Sequence, residues 1–128
     1  MKWPGRAFQV MMLIVALAAM GTIFYGTLLP GTGRPFGWYD PVRLHFFSFF
    51  ILGFLFCLAL RPRGMGLILI ALTVSLVGTV SEVGQLWVPE RTAQFQDVIL
   101  NVLGGLSGCA TWGVMSMLWR RLFGSRDE

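Results

Sequence analysis

Between Glu82 and Asn101 an otherwise apolar chain gathers Glu82, Gln85, Arg91, Asp97 and Asn101 around two hydrophobic runs. A carboxylate bordering hydrocarbon is expensive unless it is paired or wet, so such a residue marks a functional site by default. Glu82 or Asp97 has the chemistry of a general base, and His45, further upstream, that of an acid or base. Arg91 and Arg43 have the planar fork that grips phosphate or carboxylate with parallel hydrogen bonds. His45, Glu82 and Asp97 are also competent metal ligands. No paired-histidine, H-x-x-x-H or D-x-D motif accompanies them, so no metal and no cofactor is expected. Spacing supports a shared site: Glu82 and Gln85 are three apart, Asp97 and Asn101 four apart, and each pair therefore shares a helix face.

Each of these residues also has a plain structural role open to it. Glu82 and Arg91 would make an ion pair, and Asp97 suits the positive end of a helix dipole. Asn101 and Gln85 would serve as interhelical hydrogen bonds.

The elements that must position these groups are membrane spans. Only 12% of the 128 residues are charged and 55% are hydrophobic, against roughly 25% charged in ordinary soluble domains. A bilayer core takes about 20 apolar residues per helix, and runs over about 8–29, 44–60, 65–87 and 95–119 meet that need. The expected fold is all-α, one domain over 1–128 built as a bundle of four transmembrane helices. Lys2, Arg6 and Ala16-Leu17-Ala18 imitate a cleaved signal, but the apolar run continues to Leu29, which favours a retained helix. Pro30 to Gly37, Arg61-Pro62-Arg63-Gly64 and Pro89 punctuate the spans. Cys57 and Cys109 fall inside apolar runs without metal-ligand spacing and read as packing residues rather than a disulfide or redox pair. No basic stripe with interleaved aromatics suggests nucleic acid as a partner.

Seven of the ten Lys and Arg residues flank the N-terminus, the second connection and the C-terminus; Arg34, Arg43 and Arg91 lie on the other side. Basic residues concentrate on the cytoplasmic side, so both termini are expected there. Trp38, Tyr39 and Trp87 would mark the outer interface, and Trp3 and Trp119 the inner one. Threading the spans in this way brings His45, Glu82, Gln85, Arg91, Asp97 and Asn101 to one depth near the outer leaflet. Gly104 and Gly108, on a related stripe of the fourth helix, would let a neighbouring helix approach closely.

These residues resemble the VanZ-like family of small membrane proteins. The matching pieces are Glu82-x-x-Gln85, Arg91 six residues before an aspartate, and Asp97-x-x-x-Asn101-x-x-Gly104, with His45 opening an aromatic-rich helix upstream. The likeness covers roughly residues 38 to 108. One departure stands out: the family has an Asp-Lys pair with the histidine four residues after the aspartate, whereas Asp40 is followed by Pro41 and His45 comes five later. Arg43 supplies a basic residue on a different face. The resemblance implies a multi-pass protein of the bacterial cytoplasmic membrane, with cell-envelope function or antibiotic resistance as the associated roles. The family takes its name from a member linked to teicoplanin resistance.

Three functions follow as expectations. In the first, Arg43, His45, Gln85, Arg91 and Asn101 bind the headgroup of a lipid-linked or lipoglycopeptide-type amphiphile, with Phe46, Phe47, Phe49 and Phe50 available to its tail. In the second, His45, Glu82 and Asp97 are catalytic residues of an intramembrane enzyme working on a lipid or lipid-linked substrate. In the third, the polar cluster only clamps helices in a structural or interaction protein.

Overall fold

A computed structural model describes residues 5–29, 41–91 and 93–123. Lys2, Trp3, Arg34, Trp38, Tyr39, Asp40 and Arg126 lie outside the described residues. The chain forms α1 (Arg6–Leu28), α2 (Pro41–Leu60), α3 (Met65–Gln85) and α4 (Phe95–Phe123). All four are long and apolar enough to cross a membrane, and the expected all-α bundle is what forms. The edges differ in readable ways. Pro41 sits in the first position of α2, where its fixed φ and missing N–H cost nothing, so that helix begins before the apolar run does. α4 runs through Arg120 and Arg121, cations that suit the negative end of a helix dipole.

The surface is as apolar as the interior. Val10, Ile14, Leu72, Leu76 and Leu118 are all exposed, a pattern that fits hydrocarbon as the solvent. Lipid gives no hydrophobic reason for helices to meet, so close packing has to hold them. α2 and α4 share the largest interface, and α1 packs on α2 and α3. Gly104 and Gly108 account for the α2–α4 approach. A Cβ on Gly104 would strike the Phe46 carbonyl, and one on Gly108 the Phe50 carbonyl. The expected small-residue stripe is therefore the contact line, and its partner is α2.

Two buried clusters fill the bundle. Phe49, Leu52 and Val74 form one, with Ala19, Met20 and Ile23 of α1 packed against it. Cys57, Ala71, Cys109 and Trp112 form the other, where the two free thiols pack as small apolar groups. The up-and-down order leaves the start of α2, the end of α3 and the start of α4 at one end of the bundle.

Candidate functional site

At that end His45, one turn into α2, meets Glu82 and Gln85 from the last turn of α3 and Asp97 and Asn101 from the first turns of α4. Asn101 is the hub. It is fully buried, and its Nδ2 donates to Glu82 Oε1 at 3.3 Å and to the Gly78 carbonyl at 3.4 Å. With both amide acceptors on that side, Oδ1 faces the imidazole, and His45 Nδ1–H donates to it at 3.0 Å. The ring's proton arrangement follows, because an amide oxygen can only accept. Nε2, the other ring nitrogen, points toward Asp97, 3.7 Å from Oδ2, beyond hydrogen-bond range.

Glu82 forms the floor. It is 1% exposed, and its Oε1 also accepts from Gln85 Nε2 at 3.4 Å and lies 3.5 Å from His45 Nδ1. The rim is wetter: the His45 and Asp97 side chains keep 18% and 16% of their surface. A buried carboxylate beside several donors thus grades into a partly exposed imidazole next to a second carboxylate. Such an arrangement can move a proton, take a polar headgroup or hold a cation.

Other expected members are placed differently. Arg91 does not spend these donors on the cluster: Nε donates to the Leu29 carbonyl and Nη2 to the Gly26 carbonyl, both at 3.0 Å. It satisfies the orphan carbonyls at the end of α1 and ties the α3–α4 loop to that helix. Arg43 is exposed in the first turn of α2. Phe49 is 1% exposed and belongs to the core, so it offers nothing to a lipid tail. Phe47 is exposed and meets Phe46 edge-on at 5.4 Å, while Phe46 and Phe50 stack at 6.3 Å. Of these three Phe47 is exposed, and Phe46 and Phe50 are half-buried.

Gly78 is a contributor that the sequence reading passed over. A Cβ there would lie 2.8 Å from Asn101 Cβ, so glycine is what lets Asn101 reach the α3 backbone. Its spacing gave a signal, since Gly78 precedes Glu82 by four and shares its helix face.

No curated protein and no solved structure matches the chain significantly. The VanZ/LLP1 family profile does, over residues 8–118. That match extends from α1 to the last turns of α4, and so takes in every helix end that builds the cluster. Together with four helices able to span a bilayer, it makes this a multi-pass membrane protein, and the chain belongs to the VanZ/LLP1 family.

Proposed function

We propose that the chain binds the polar headgroup of an amphiphile, a lipid-linked or lipoglycopeptide-type molecule, at the His45–Asp97 rim, in the outer leaflet of a bacterial cytoplasmic membrane. The observation that carries this reading is the gradient of exposure across one polar cluster. Glu82 and Asn101 are buried and hydrogen-bonded to one another, whereas His45 and Asp97 keep 18% and 16% of their side-chain surface, and Phe47, two residues on from His45, is exposed. A clamp with no other task gains nothing from leaving His45 Nε2 and Asp97 Oδ2 3.7 Å apart at its mouth. The outer placement is supported by the excess of basic residues around the termini and the second connection. With Arg91 engaged by α1, the headgroup contacts fall to His45, Asp97 and the Arg43 side of α2.

A photoreactive phospholipid and a photoreactive lipid-linked saccharide, each in vesicles, test the reading. Capture of either at Phe46 or Phe47, reduced at least about tenfold in a folded Asp97→Asn variant, supports it. Capture that ignores this substitution removes it.

A second reading is favoured by the way Asn101 holds His45. Fixing Nδ1–H and turning Nε2 toward an open rim is how a general acid or base is oriented. On this reading Glu82 and Asp97 set the charge around the ring while His45 transfers a proton to or from a lipid substrate. Turnover of a bound amphiphile, lost in Asp97→Asn while capture persists, separates catalysis from binding alone.

A further inference from the structure

Two features of the cluster have no explanation in its own hydrogen bonds. Glu82 Oε1 accepts from Asn101 and Gln85, yet Oε2 of the same carboxylate is buried with no hydrogen-bond partner among the described residues. Leaving a buried polar atom unpartnered costs on the order of 1–3 kcal/mol. Across the site, Asp97 Oδ2 stands 3.7 Å from His45 Nε2, close enough to share a partner but too far to bond directly. One donor atom each from His45, Glu82 and Asp97 lies within 4.8 Å of the other two.

We propose that His45, Glu82 and Asp97 bind one first-row divalent cation. Two ligands about 2.0–2.2 Å from a tetrahedral ion stand roughly 3.3–3.6 Å apart, so the His45–Asp97 gap of 3.7 Å needs to close by a few tenths of an ångström, and a separation at the 4.8 Å bound of the set by roughly 1.2–1.5 Å, which side-chain rotation would have to supply. Glu82 supplies a carboxylate oxygen, and its Oε2 is the one left without a hydrogen-bond partner among the described residues. Asn101 completes the arrangement by accepting from Nδ1–H, the contact that ordinarily orients a metal-binding histidine and raises the basicity of its other nitrogen. One nitrogen and two carboxylate oxygens suit zinc or manganese rather than a soft ion such as copper(I). Three protein ligands leave coordination positions for water or for an anionic oxygen arriving from the half-open rim. The ligands come from three helices and are 37 and 15 residues apart along the chain, which is why no compact metal motif announces them. The proposal does not require an amphiphile.

Untagged protein in detergent, stripped with a chelator, is titrated calorimetrically with Zn2+ and with Mn2+, and by visible absorption with Co2+. The expected result is one ion per chain, a melting temperature that rises with free metal, and a Co2+ spectrum carrying an imidazole ligand. His45 is the only histidine in the sequence, so that ligand is unambiguous. His45→Gln should abolish the Co2+ spectrum, and Asp97→Asn, at the rim, should weaken binding at least about tenfold. Stoichiometric binding by none of the three ions, or equal affinity in wild type and Asp97→Asn, overturns the proposal.

Discussion

Glu82 gathers donors: Asn101 Nδ2 and Gln85 Nε2 both end on its Oε1, and His45 Nδ1 lies beside it. Glu82→Gln keeps an oxygen for those donors, whereas Glu82→Ala takes from Gln85 Nε2 its acceptor in a buried place and leaves Asn101 Nδ2 only the Gly78 carbonyl. Stranding a buried donor costs about 1–3 kcal/mol, so Glu82→Ala should lower unfolding free energy in detergent by that amount or more. Glu82→Gln should cost visibly less, as denaturant titration would show. This residue was legible in the sequence because the price of a carboxylate next to hydrocarbon needs no structure to state. Arg91 was not. Its acceptors, the carbonyls of Gly26 and Leu29, lie 65 and 62 residues upstream, and nothing local in either segment distinguishes a headgroup-binding arginine from one that closes a helix end. Arg91→Ala should accordingly raise amide hydrogen exchange at the end of α1 while leaving exchange in α4 little changed.

At the scale of elements, the contact between α2 and α4 sets where His45 stands relative to Asp97 and Asn101. Gly104→Ala and Gly108→Ala would each drive a methyl group into an α2 carbonyl. Overpacking of that kind costs typically about 1–3 kcal/mol. Gly21→Ala in α1 is the control, because a Cβ there meets nothing, and it should be neutral or stabilising by up to about 1 kcal/mol. Melting temperatures of the three variants check this ordering. If the site depends on the crossing, Gly104→Ala should also weaken whatever binds at His45. The sequence marked Gly104 and Gly108 as a contact stripe through their four-residue spacing, but several helices can accept such a stripe. The choice of α2 rests on Phe46 and Phe50 presenting backbone carbonyls at matching heights, a three-dimensional fit without a periodic signature. Helix ends were similarly readable to within about a turn; the largest differences are at Pro41, which starts α2 three residues ahead of its apolar run, and at the end of α4, which continues through Arg120 and Arg121 to Phe123.

For the molecule as a whole, hydropathy determined the number of spans, and chain threading determined which ends meet. That is why a cluster assembled from α2, α3 and α4 was visible before any coordinates. The sidedness of the bundle is an expectation from Lys and Arg placement, and it is testable because Cys57 and Cys109 are buried and should label poorly. A cysteine introduced at exposed Glu90 should react with an impermeant maleimide added outside intact cells, and one at Arg121 only after lysis. The reverse pattern would put the site in the inner leaflet. Burial and hydrogen bonding explain how the cluster is held, but a clamp and a receptor differ in what happens when the rim is altered and the floor is left intact. The most direct measurement therefore pairs photoreactive amphiphile capture with the melting temperature of the same preparations of wild type, His45→Gln and Asp97→Asn. The account predicts that Asp97→Asn melts within a few degrees of wild type yet loses at least about nine-tenths of its capture, with His45→Gln at least as deficient. Capture that falls only in step with melting temperature, or that persists in both variants, would contradict it and leave the cluster as a clamp between helices.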